Sequence, residues 1–198
     1  MLIGASTWAN PIINGQTISP VPGASVSASA VQLGNEVNSL VKTSFGKNTE
    51  IGSLQSWVYT GDANNPYGGL TFVYQISLQS SSTTFVDSFA DSTDWTGFKT
   101  AVGSKVSSGQ VNSSSVNRDS DIITWVFSPT HVMNGNISAL LIVETDAKKF
   151  TNDAFNMHDG ATSTAEAYVP LAIPDGGLTS VLLGGALLAL GALRRRMS

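Results

Sequence analysis

A small set of side chains could carry chemistry in this chain. Serine followed three residues later by lysine occurs twice, as Ser39 with Lys42 and as Ser44 with Lys47. That spacing lets a lysine amine take the proton of a nucleophilic serine. Enzymes built on it also need Ser-Asp-Asn and Lys-Thr-Gly elements in a larger mixed fold, and both tripeptides are absent, so the two matches are assigned to chance. A serine–histidine–aspartate arrangement would have to use His131 or His158, and neither carries a flanking signature, so both read as loop histidines. Asp119 and Asp121 alternate in a way that can offer oxygens to calcium, as do Asp87, Asp91 and Asp94. Both groups lack the glycine and terminal glutamate of a helix-loop-helix calcium site, and solvated acidic loops are the expectation. With no cysteine in the chain, disulfides, thiol nucleophiles and thiolate metal sites are excluded. The assignment is no catalytic residue, no metal ligand and no cofactor, and a protein that is not an enzyme.

Aromatic side chains are the remaining chemistry. Trp57, Tyr59, Trp95 and Trp125 can line a face on which sugar rings stack. Trp57 and Trp125 sit in apolar strand-like runs, and there the expectation is core packing.

The elements that must position these residues read as strands. The chain has 198 residues, enough for one core, and it is poor in charge and rich in Ser, Thr, Asn and Gly. Residues 69–79 alternate Leu70, Phe72, Tyr74, Ile76 and Leu78 with Thr71, Gln75, Ser77 and Gln79, one face for a core and one for water. Residues 54–60 are the expected hairpin partner, joined through a loop of turn formers at 61–68. Residues 122–127 (IITWVF) and 137–145 (ISALLIVET) are apolar on both faces, as central strands would be, with 129–135 connecting them. Further strands are expected at 12–18, 84–89 and 165–172, and a short helix at 94–106 with Trp95, Phe98 and Val102 on one side. No repeat of fixed period occurs. The expected fold is mainly β, a single antiparallel β-sandwich body over 10–172 followed by a C-terminal hydrophobic α-helix.

The last stretch has three parts in order: Pro174, Asp175, Gly176 and Gly177; an uncharged run at 178–193 (LTSVLLGGALLALGAL); and Arg194, Arg195 and Arg196. As a helix the run spans about 24 Å at 1.5 Å per residue, short of the roughly 30 Å hydrocarbon core, so it is a marginal anchor that needs bilayer thinning or snorkelling arginines. The basic triplet holds the C-terminus in the cytoplasm and leaves the body on the other side. The proline and glycines make an exposed hinge that a processing enzyme can reach. Three of the chain's ten basic residues are in that triplet and the net charge is -4, so the body is distinctly acidic, which argues against nucleic acid as a partner.

This tail resembles the C-terminal sorting signals of the PEP-CTERM group, in particular its Val-Pro-Asp-Ser-Gly variant, read here as Ile173-Pro174-Asp175-Gly176-Gly177 followed by the apolar run and the arginines. The resemblance covers residues 173–198, and the Pro-Glu-Pro of the main group is absent. It implies recognition by an exosortase-type membrane enzyme that cuts near the short motif. It further implies transient anchoring in the inner membrane with the body in the periplasm, then passage to the cell surface or beyond. Thr7-Trp8-Ala9 before Asn10 and Pro11 looks like a cleavage site, so residues 1–9 read as the end of a signal peptide. The expected role is that of an exported bacterial surface or extracellular-matrix protein, with membrane, processing enzyme and exopolysaccharide as partners. The alternative is a lectin-like or hydrolytic module acting on surface polysaccharide.

Overall fold

The computed structural model describes residues 8–45, 48–91, 95–158 and 162–171. The sorting segment at 173–198 and most of the segment at 1–9 lie outside the described residues. The described residues form fourteen strands: β1 (Asn10–Pro11), β2 (Gln16–Ile18), β3 (Val31–Phe45), β4 (Asn48–Thr60), β5 (Thr71–Leu78), β6 (Ser88–Asp91), β7 (Thr100–Lys105), β8 (Gln110–Val111), β9 (Ser115–Asp119), β10 (Ile122–Val126), β11 (Ile137–Ser138), β12 (Leu140–Thr145), β13 (Phe150–His158) and β14 (Thr162–Pro170). The protein is mainly β, and no helix occurs among the described residues.

Two curled sheets result. The first runs β1-β7-β12-β5, continues on one side of β5 into β4 and β3, and carries β11 and β8 at its margin; the second runs β14-β13-β6-β10-β9-β2. The expected hairpin of β4 and β5 forms, in a register that sets Trp57 against Val73 and Leu54 against Ile76. Pairing is antiparallel except between β8 and β11. Alternation drives the packing: Leu54 and Val58 of β4, Phe72, Tyr74 and Ile76 of β5, and Leu141 and Val143 of β12 turn to one side and meet Phe89, Trp125 and Phe155 of the second sheet in one core. The free margins of the sheets are stitched together by side chains. Ser39 Oγ donates to the Glu166 carbonyl (2.9 Å) and accepts the Glu166 N–H. Tyr74 OH donates to the Tyr168 carbonyl (2.7 Å), and the Tyr168 hydroxyl donates to the Asn35 carbonyl beside a bulge in β3.

The helix expected at 94–106 does not form. Asp94 lies outside the described residues, Trp95 to Phe98 make a turn closed by Phe98 N–H on the Trp95 carbonyl, and Thr100–Lys105 is β7, held between β1 and β12. Trp95 and Val102 do share a side, but they reach the core from a turn and from a strand. The outer face of β7 is roofed by a strap at 21–30, in which Ala24 N–H bonds the Ser104 carbonyl and Ser104 N–H the Pro22 carbonyl. Gly103 makes that approach feasible, since a Cβ there would lie 2.4 Å from the Ala24 Cβ. The connection at 129–135 carries the chain from β10 in the second sheet to β11 in the first. Ile122 and Ile137, expected inside, are exposed at the strand starts, whereas Ile123, Trp125 and Leu141 are buried.

Candidate functional site

The outer face of the first sheet carries aromatic and acidic side chains that the main core does not use. Gln55, Trp57 and Tyr59 alternate with the core residues of β4 and so point away from the main core. Trp57 therefore departs from the expected core position: it packs half-buried in a second, smaller cluster with Ala24, Val73, Ala101 and Ile142, whereas Trp125 and Trp95 are fully buried as core residues. The reason is parity, because Leu54 and Val58 fix which face of β4 is inner. Glu36 grips this outer face, accepting Trp57 Nε1–H (3.1 Å) on one oxygen and Gln55 Nε2–H (2.7 Å) on the other. Burial and the Glu36 charge push the Tyr59 hydroxyl above its ordinary range.

Next to this platform the β4–β5 loop folds back over the sheet. Asp62 is its keystone: one carboxylate oxygen accepts the N–H groups of Ser27 and Asn64, and the other accepts the Thr71 hydroxyl (3.0 Å). Asn65 then donates to the Leu70 and Thr145 carbonyls, and its own oxygen takes the Tyr67 N–H. Gly61 and Gly68, at φ of 67° and 63°, supply the left-handed turns that let the loop reverse at both ends. Under the loop lies Glu144 of β12, flanked in register by Thr71 on β5 and Ala101 on β7. It is 0% exposed, and neither carboxylate oxygen has a hydrogen-bond partner among the described residues. Burial, reinforced by the Asp62 charge, raises its carboxyl to about 8. The Tyr67 hydroxyl is likewise pushed up by burial, then by the charges of Glu144 and Asp146, with Arg118 opposing.

The sequence-selected residues are scattered by comparison. Ser39 is a structural link between β3 and β14, with its hydroxyl committed at both ends to Glu166, and Lys42 points to solvent. The Ser44 and Asp91 side chains, Lys47 and Asp94 lie outside what is described. Asp87 and Asp121 sit at opposite ends of β10: the Asp87 carbonyl accepts Phe127 N–H and the Asp121 carbonyl accepts Trp95 N–H. Asp119 lines a shallow polar cavity of about 560 Å³ with Gln16, Thr17, Asn117 and Thr124. The structure does bring His131 and Asp87 together: Nδ1 of the imidazole contacts the Asp87 carboxylate, Phe85 packs against the ring at 4.5 Å with planes tilted by 42°, and the Asp87 N–H donates to the His158 carbonyl. A base oriented by a carboxylate is half of an acyl-transfer site. Among the described residues no hydroxyl hydrogen-bonds to His131, and the His158 ring instead meets the Thr162 hydroxyl at 3.1 Å.

Glu144, Asp62 and Glu36 were not singled out by sequence. For Glu144 a signal existed: within LLIVET an acid occupies the alternation position of Leu140 and Ile142 in a strand that is apolar on both faces. The fold defines a mainly β, two-sheet domain with a partly roofed outer face. Comparison of the chain with family models, with curated proteins and with solved structures finds no match.

Proposed function

We propose that this is an exported protein of surface or extracellular-matrix type, a β-sandwich body delivered by a C-terminal sorting helix and working by display and binding. The observation that carries the reading is the fixed order at the C-terminus: Pro174, Asp175, Gly176 and Gly177, then sixteen uncharged residues at 178–193, then Arg194, Arg195 and Arg196. A processing enzyme needs a reachable backbone beside a membrane-held helix, and the basic cluster sets the orientation of that helix. The test is the intact mass of the protein recovered from cells. The native chain is expected to have lost its tail near Gly176, and a variant with Pro174→Ala, Asp175→Ala and Gly176→Ala to keep it. Full-length mass in both would discard the sorting reading.

A second reading, a lectin-like body for surface polysaccharide, is favoured by the outward position of Trp57 and Tyr59. Glu36 holds the indole in place, and a held ring loses little entropy when a sugar stacks on it. Under this reading Trp57→Ala weakens retardation of the protein in polysaccharide-containing native gels by about tenfold, roughly the 1.4 kcal/mol that one stacking ring supplies. Equal retardation of native and variant protein would remove it.

A further inference from the structure

We propose that Glu144 and Asp62, under the β4–β5 loop, form a binding site for a divalent, oxygen-seeking cation, calcium in the first instance. Among the described residues, the donors around Glu144 are committed elsewhere. The Thr71 hydroxyl gives its proton to Asp62, the Asn65 amide serves the Leu70 and Thr145 carbonyls, and Tyr67 OH serves the Thr100 carbonyl at 3.3 Å. The nearby cations are engaged as well. The Arg118 guanidinium binds the Phe98 and Trp95 carbonyls and Thr100 Oγ1, and Lys148 Nζ reaches the Gly68 carbonyl.

A carboxyl group 0% exposed with two unpartnered oxygens therefore lies beside Thr71, its register neighbour, whose hydroxyl binds a second, 5% exposed carboxylate fixed by three hydrogen bonds. Without a partner the buried Glu144 carboxyl keeps its proton, and a divalent cation that displaces that proton finds oxygen around it: both carboxylates and the Thr71 hydroxyl. The chain has no cysteine, and both histidines lie on or beside the second sheet, so a softer metal finds no ligand here. Calcium tolerates irregular, all-oxygen coordination better than magnesium does. The loop that covers Glu144 is bounded by Gly61 and Gly68, both at positive φ.

The test uses the full chain, with thermal unfolding followed in chelator, in calcium and in magnesium, for native protein and Glu144→Gln. At calcium a hundredfold above its dissociation constant, the native midpoint is expected to rise by about 5–10 °C. Glu144→Gln, equal in volume and uncharged, should gain almost nothing. Terbium emission provides a second readout: excited through Tyr67 beside the site, it should appear with native protein and vanish with Glu144→Gln. No calcium shift in the native protein, or an equal shift and equal terbium emission in the variant, overturns the proposal, the latter by sending the cation to another acidic group such as Asp119 with Asp121.

Discussion

In chelator, Glu144→Gln is expected to abolish a loss of stability that the native protein suffers between pH 4.5 and about 8. The sign follows from proton counting. The folded chain keeps the Glu144 proton up to about pH 8, whereas the unfolded chain releases it near 4.5, so over that interval the native state binds more protons and each rise in pH favours unfolding. The stabilising contribution is complete below 4.5 and gone above 8. At 1.36 kcal/mol per pH unit the interval amounts to about 5 kcal/mol, an upper bound because the surrounding loop relaxes. Glu144→Gln removes the titrating group, so the profile of the variant should be flatter by most of that amount. Urea unfolding at pH 5, 6.5 and 8.5 decides it: the two proteins should lie within about 1 kcal/mol at pH 5 and diverge at pH 8.5, with the glutamine form the more stable. Parallel profiles would mean that Glu144 is solvated or paired in solution.

The position of Glu144 also marks where sequence legibility ended. The alternation at 69–79 placed Phe72, Tyr74, Ile76 and Leu78 in the core, because a period of two is a local property that the strand cannot escape. The β4–β5 hairpin was readable for the same reason, through the turn chemistry of Gly61 and Asp62. The strand β3 was not, because its sequence VQLGNEVNSLVKTSF serves one half-buried and one wet face, and Leu40 is turned outward at 81% exposure. What orders it is its partner β4 and the tyrosine of β14, and neither is a local signal. The false helix at 94–106 arose likewise, since a spacing of three and four between apolar residues fits a helix but also fits a turn followed by a strand. The face of Trp57 depended on the register of β4, which a single residue of slip would have reversed. Acids buried by a loop are the hardest case. Asp62 and Glu144 are 82 positions apart, and what joins them is the return of the loop over β12.

Phe155→Ala carries the other large effect, and its size follows from how the two sheets meet. Phe155 of β13 stacks on Phe89 of β6 at 4.9 Å with planes 12° apart, and Tyr74 of β5 closes the triangle from the opposite sheet at 4.8 Å. All three are buried to 2% exposure or less, so truncation leaves a cavity where two strands of one sheet and a third from the other converge. A core phenylalanine costs about 3–5 kcal/mol under those conditions, from lost transfer energy and from the void. Tyr74→Phe separates packing from tethering. It keeps the ring and removes the bond to the Tyr168 carbonyl, so about 1–2 kcal/mol is expected from a buried carbonyl left without its donor. If the ring triangle holds the sheets together, Phe155→Ala and Tyr74→Ala should be strongly non-additive, because the first change already loosens what the second removes. Additive losses in the double variant would place the joint between the sheets elsewhere, at the Ser39 and Tyr168 stitches along β14. In that case Ser39→Ala, which removes the hydroxyl bonded to both the carbonyl and the N–H of Glu166, would carry the larger share.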